Sequence, residues 1–417
     1  MQWLMLLLRP YDIIMTVIKM DTQKELFRVG YGPSSSHTMG PQKAAQIFKE
    51  KHPQANRFVV DLYGALALTG RGHLTDYIIK RMLGENKTEV RFFGELFYEY
   101  HPNGMKFYAY QDDLLLGEWL VFSVGGGALK ELNEDRESHL NHYYRFKTMK
   151  DILSYLTTYK LSFIDYVLES EPKDILMWAE EVIDVMFKSV DRGLNNHAVL
   201  PGPLKIKRRA SSIYEKYLQN NDFNALVFAS TLAVSEENAG GGLIVTAPTC
   251  GSSGVLPGVL YSYYIKEKFP KQKLAKALLV GGLFGNLVKE NASISGAEVG
   301  CQGEVGTACC MAAAALCYLL GGTNQQIEYA AEIALEHHLG MTCDPVLGYV
   351  QIPCIERNAI SAKRAIDACD YAMLTDGKHF VDFDSVVTTL KETGKDLNAI
   401  YRETSLGGLA KVKIDND

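Results

Sequence analysis

"MKDILSYLTTYKLSFIDYVLES", residues 149–170, carries apolar side chains three and four positions apart, the spacing of an amphipathic helix. "KDILMWAEEVIDVMFKSVDRGL" (173–194) and "AAEIALEHHLG" (330–340) repeat that period. Upstream the pattern differs. "RFVVDLYGALALTGRGH" (57–73), "EVRFFGELF" (89–97), "KFYAYQDD" (106–113) and "EWLVFSVGGGAL" (118–129) read as short strands and turns, with "LTDYIIKRML" (74–83) as a helix among them. The change of period therefore predicts two domains: a small N-terminal α+β domain over 21–145, then a larger, mainly α-helical domain over 146–417.

A chain of 417 residues exceeds the usual limit for a single core, which agrees with that division. Hydrophobic residues at 47% and charged residues at 22% are ordinary for a globular protein. A net charge of −6 leaves no electrostatic footprint for nucleic acid or an anionic membrane, and "KIKRRA" (205–210) is too short a basic run to alter this. The opening stretch is apolar but interrupted by Arg9, Pro10 and Asp12, and it lacks a basic leading region and a cleavage site. Its run before Arg9 falls far short of the roughly 20 residues of a membrane span. Residues 1–20 are read as an N-terminal extension of doubtful authenticity, a start-site artefact or loose arm, because Met20 opens a plain soluble start. Eight cysteines without an export signal indicate a reducing, cytoplasmic setting. The sequence shows no repeat, no phosphate-binding G-x-x-x-x-G-K-[ST] and no dinucleotide fingerprint.

"GYGPSSSHTMGPQKAA" (30–45) places three serines, a histidine and a threonine between two Gly-Pro pairs. A helix start needs one capping hydroxyl, yet Ser34, Ser35, Ser36 and Thr38 all compete for that role before a helix expected to begin near Pro41. At least two hydroxyls are left over. With His37 and the N–H groups of a helix start they make a receptor for a small carboxylate, a reading preferred here to a plain capped turn.

The cysteines fall into two sets. Cys309, Cys310 and Cys317 lie in the Ala-rich run "GTACCMAAAALCYLL", and Cys369 lies on a helical apolar stripe, so all four are read as core. Cys250, Cys301, Cys343 and Cys354 stand beside Gly or Pro in loops, where exposed N–H groups stabilise a thiolate. Their spacing, with 42 residues from Cys301 to Cys343 and ten between Cys343 and Cys354, matches no ferredoxin or zinc pattern. His337 and His338, adjacent and so on different helix faces, are read as surface or cap residues.

"GPSSSHTMGP", "TGRGHLTD", "LPGPLKIKRRA", "ENASISGAEVGCQGEVGTAC", "GMTCDPVLGYVQIPCIERNAI" and "YRETSLGGLA" together resemble the iron–sulfur L-serine dehydratases (L-serine ammonia-lyases) in their single-chain form, in consistent order from about Asp21 to Ala410. The resemblance implies an oxygen-sensitive [4Fe-4S] cluster with one iron free of protein ligand, no pyridoxal phosphate, and a homodimer. By motif it implies Cys301, Cys343 and Cys354 as cluster ligands, the "SSSHT" run as the substrate holder and His73 as the base. Some members end in a cysteine that can occupy the open iron. This sequence ends "KVKIDND", so such self-ligation is not expected, and Cys250, where some relatives have Asn, has an open role.

The chemistry agrees. Dehydrating L-serine means removing a Cα proton and expelling hydroxide, so a Lewis acid and a base are both needed. Histidine, with an unperturbed pKa of about 6.5, suits the base, and His73 and His37 are the candidates. By its Gly-flanked turn alone, His73 reads equally as a surface histidine. Pyruvate and ammonia are the expected products. The rival readings are a lyase of the same scaffold for threonine, cysteine or another β-substituted amino acid, and a non-catalytic iron–sulfur sensor with Cys250 as fourth ligand. A pyridoxal phosphate lyase is disfavoured because "SGAEVGCQGEVG" lacks a Schiff-base lysine.

Overall fold

Residues 20–124, 126–132 and 143–412 are described by the structure, a computed structural model. The readings made of residues 1–19 and of the last five residues lie outside them. Along the chain run β1 (Val29–Tyr31), α1 (Gly40–Lys51), β2 (Arg57–Tyr63), α2 (Gly64–Thr69), α3 (Thr75–Leu83), β3 (Thr88–Phe93), β4 (Gly104–Gln111), β5 (Leu114–Ser123) and β6 (Leu129–Glu131). A mainly helical part follows: α4 (Met149–Tyr159), α5 (Phe163–Ser170), α6 (Ile175–Leu194), α7 (Ala210–Asn220), α8 (Phe223–Ala239), a short β7 (Leu243–Val245), α9 (Val255–Glu267) and α10 (Lys271–Asn291). It closes with α11 (Gly296–Val299), α12 (Thr307–Leu319), α13 (Asn324–Glu336), α14 (Cys354–Met373) and α15 (Phe383–Asp396). The N-terminal α+β part and the larger helical part are thus as the hydrophobic periods foretold.

The first part is a mixed sheet of order β3-β2-β4-β5-β6, parallel only between β2 and β3. Phe58, Val60 and Leu62 of β2 meet Phe48 of α1 and Ile78 of α3 in one core. "GALALT", read among strands, forms helix α2 instead. Its alternation mimics a strand, but Ala and Leu are strong helix formers, and Gly64 (φ 52) turns the chain out of the sheet at the end of β2.

The helical part centres on α10 and α12. Every residue of α12 except Tyr318 is buried, as befits a helix apolar all round. Its alanines let Gly281 of α10 approach the Met311 carbonyl closely. Cys309, Cys310, Cys317 and Cys369 are buried in this core, as the sequence suggested.

Several links among the described residues join the parts. Met20, Leu26 and Phe27 pack into the helical core, and β1 pairs antiparallel with β7, Gly30 opposite Ile244. The hydroxyl-rich loop then rests on the end of α8, where Asn238 Nδ2 donates to the Pro33 carbonyl at 3.0 Å. Among the described residues no helix is long and apolar enough to cross a membrane.

Candidate active site

The helix after the Gly-Pro pair, α1, begins at Gly40 with Pro41 in its first turn, as expected, and a further turn precedes it. Ser35–Met39 form a turn of the wide π type that runs straight into α1, with Gly40 N–H reaching back to the Ser35 carbonyl. Wide turns of this kind recur at functional sites, and Pro41, which has no N–H, stands in the first turn of α1.

The hydroxyls divide their work. Ser34 is the cap: its Oγ accepts from His37 N–H at 3.1 Å. Thr38 Oγ1 accepts from Ser34 N–H at 3.1 Å and donates to the His73 carbonyl at 2.7 Å. Thr75 Oγ1 donates to the His37 carbonyl at 2.5 Å, so the two histidine-bearing turns are tied in both directions. Ser36 Oγ lies 2.9 Å from His37 Nδ1, and Ser35 is buried in the first turn.

His37 and His73 stand face to tilted face, their ring centroids 4.6 Å apart. His73 is 1% exposed, which removes the surface-histidine reading. Its turn between α2 and α3 is folded inward by Leu74 in the left-handed region (φ 56). His73 Nδ1 lies 3.0 Å from the Thr69 carbonyl, an oxygen that can only accept, so Nδ1 carries the proton and Nε2 the lone pair. That Nε2, like His37 Nε2, is buried and has no hydrogen-bond partner. Burial pulls the His73 pKa down to about 4. Burial, and then the neighbouring His73, hold His37 well below the usual range, so both rings are neutral near pH 7.

The thiols gather on the helical part. After α11, Gly300 (φ 76) turns the chain into Cys301, which heads a second π-type turn, Gln302–Gly306, running into α12. Cys354 is the first residue of α14. Both therefore sit at helix starts, where N–H groups favour an anion. Cys343 is pinned by main chain: its N–H donates to the Tyr401 carbonyl and its carbonyl accepts from Glu403 N–H, each at 2.7 Å. Leu409 N–H donates to Asp344 at 2.8 Å, and at Gly408 (φ 59) a side chain would run into Asp344. The "YRETSLGGLA" motif thus holds the Cys343 loop in place.

The ligand atoms of Cys301, Cys343 and Glu304 lie within 4.8 Å of one another, a group with metal-holding spacing. Cys354 falls outside that trio but within electrostatic reach of Cys301. Its thiol is pushed well above the usual range by burial and then by Cys301; that of Cys343 is pushed up by its contact with Cys301 and by burial. Thiols held neutral in this way ionise when a cation arrives, so the donor set suits a soft, thiolate-bound iron group. Arg357 supplies a nearby positive charge that Cys301 and Cys354 both feel. Cys250 is buried near Glu304, beside the loop whose Thr249 Oγ1 donates to Glu304 at 2.7 Å.

The two halves touch. A side chain at Gly72, next to His73, would stand 3.6 Å from the Gly348 carbonyl, in the loop between Cys343 and Cys354. A cavity of about 70 Å³ opens there, lined by Pro33, Arg71, Leu74, Gly202, Tyr349 and Gln351 among others. Gln351 Nε2 donates to the Pro201 carbonyl at 2.7 Å, while its buried Oε1 has no partner.

Glu304, Arg357 and Gln351 escaped the sequence reading. Glu304 and Arg357 stand three residues from Cys301 and Cys354, so helical spacing from each thiol was the available signal; Gln351 had none. His337 is an exposed helix cap as expected, but His338 is buried, with Nδ1 2.7 Å from the Ala334 carbonyl and Nε2 2.9 Å from Ser361 Oγ. Gly306 leaves room for it, since a side chain there would run into the His338 Cβ.

A family model described as the serine dehydratase alpha chain matches residues 80–410, and one described as the serine dehydratase beta chain matches 23–90. L-serine dehydratase 1 of Escherichia coli (strain K12) is 41% identical over a 451-residue alignment, covering 94% of this chain and 99% of that protein. L-serine dehydratases of Haemophilus influenzae and Streptomyces coelicolor are each 40% identical, over 94% and 93% of this chain and 98% and 97% of their own.

Proposed function

The chain belongs to the serine dehydratase family, with alpha-chain and beta-chain parts in one polypeptide, and from that premise we propose that His73 takes the Cα proton of L-serine while Cys301, Cys343 and Cys354 hold a [4Fe-4S] cluster. The activity is that of an L-serine dehydratase, an ammonia-lyase. Loss of the Cα proton and the β-hydroxide leaves aminoacrylate, whose imine tautomer takes up water to give pyruvate and ammonia.

The observation that carries the assignment of the base is His73 Nε2, a buried lone pair without a partner on a turn pressed against the Cys343–Cys354 loop. Thr69 fixes the tautomer and Thr38 fixes the main chain of His73, so the proton has one place to go. His37 lies beside it and is the second candidate. The helix start at Ser35, with Ser36 on its rim, receives the substrate carboxylate, as N–H groups and dipole there favour an anion. Ser34 and Thr38 serve the same site by shaping the turn. Gln351 Oε1 is an acceptor for the ammonium group. When bound, the cluster supplies Lewis-acid chemistry that eases departure of hydroxide. Glu304 and Arg357 tune the charge around the thiols. A homodimer belongs to this reading and is checked by light scattering.

The test is anaerobic reconstitution with iron and sulfide, followed by a pyruvate assay on L-serine. Broad cluster absorbance together with pyruvate formation is expected. Absorbance without turnover would favour the sensor reading, and faster turnover of threonine or cysteine would move the substrate.

A further inference from the structure

Outside that site, α13, α14 and the stretch before α15 enclose a larger cavity of about 590 Å³. Tyr329 and Tyr371 meet edge to face at 6.0 Å on its wall, His379 stacks on Tyr329 at 4.2 Å, and Phe380 stands fully exposed beside them. Glu332 lines the same cavity, is only 2% exposed, and its Oε1 meets no donor. Ionising a carboxyl group buried in this way is costly, and no hydrogen bond described on this chain meets Oε1. Glu328, one turn earlier, accepts from Phe383 N–H at its Oε1 at 2.9 Å and has His379 Nε2 2.9 Å from its Oε2, so its Oε1 is satisfied where that of Glu332 is not.

We infer that this cavity binds a small organic cation, its ammonium or guanidinium head against Glu332 and its carbon body between Tyr329, Tyr371 and Phe380. Three observations converge on that class. The carboxylate lacks a positive partner: Arg364, the fixed cation lining the cavity among the described residues, is directed to the His337 carbonyl at 3.1 Å. Tyr371 and the exposed Phe380 offer apolar ring surface for the carbon body beside the cationic head. The volume far exceeds a bare metal ion, and the metal-holding group found among the described residues is the Cys301, Glu304 and Cys343 trio, not this one. Glu336 and Asp367 add negative charge at the same cavity. Burial, then Glu336, Glu328 and Asp382, raise the Glu332 pKa to about 8, so the group waits protonated and ionises when a cation pairs with it.

Calorimetric titration of the full-length protein with phenethylammonium chloride is the test, with 2-phenylethanol as the neutral counterpart and L-serine as competitor. Saturable binding of the amine is expected, weakened at least tenfold in Glu332→Gln and several-fold in Tyr371→Ala, with no heat from the alcohol and no displacement by L-serine. Equal affinity in Glu332→Gln, binding of the alcohol, or displacement by L-serine would each overturn the site. The fold is checked separately. A folded pKa of about 8 against an ordinary 4.5 costs the wild type stability as pH rises between those values, so Glu332→Gln should melt no lower at pH 8. A lower melting temperature would mean that the carboxylate serves the fold, and would sink the proposal.

Discussion

Thr38, 1% exposed, gives its one hydroxyl proton to the His73 carbonyl and accepts from Ser34 N–H, so it acts as a positioning residue. Ser34 likewise spends its oxygen on a helix cap. Ser36 touches only His37 Nδ1 and a distant Ser34 Oγ at 3.4 Å, which leaves it free to meet a ligand. The four hydroxyls should therefore separate by assay. Ser36→Ala removes a bond to a charged substrate group, worth roughly 1.5–3 kcal/mol, and should raise KM about tenfold or more with Tm unchanged. Ser34→Ala should cost about 0.5–2 kcal/mol of stability, as cap losses do, visible as a lower Tm. Thr38→Val should lower kcat more than it raises KM, because it releases His73. A Ser36→Ala variant with unaltered KM would place the carboxylate elsewhere.

Elements meet at the loop's seat on α8, where a side chain at Gly32 would run into the Asn238 carbonyl. Gly32→Ala should push the hydroxyl turn away from the helical part and reduce kcat/KM at least tenfold while leaving helical circular dichroism intact. Full activity would show that the seat is not needed. What was legible in the sequence follows from how local each signal is. The switch from strands to helices, the buried cysteines of α12 and the glycine-flanked thiol loops all declare themselves within a dozen residues. "GALALT" misled because its alternation imitates a strand, whereas Pro41 did mark the first turn of α1; the wide turn over Ser35–Met39 ahead of it has no spacing signal of its own. The burial of His73 and the loop-pinning by Tyr401 and Glu403 depend on partners far along the chain, which spacing cannot reveal. The ordered motifs carried the family, not the geometry.

At the scale of the molecule the proposed site is split between two parts: thiols on the helical part, paired imidazoles and hydroxyls on the other, with Gly72 against Gly348 at the seam. A site built this way can be broken one half at a time. Cys301→Ala, Cys343→Ala and Cys354→Ala should each abolish the broad cluster absorbance after reconstitution, whereas Cys309→Ala and Cys317→Ala, deep in the α12 core, should keep it at some cost in stability. His73→Ala should keep the absorbance and lower kcat by about 10²-fold or more, since a general base acts in the transition state. Added L-serine should still perturb the EPR signal of that reduced variant, because holding the substrate does not require the base. A full cluster spectrum in Cys354→Ala would remove the thiol lying outside the close trio from the ligand set. If His73→Ala keeps kcat and His37→Ala loses it, the proton goes to the neighbouring ring, and the hydroxyl turn performs the chemistry as well as holding the substrate.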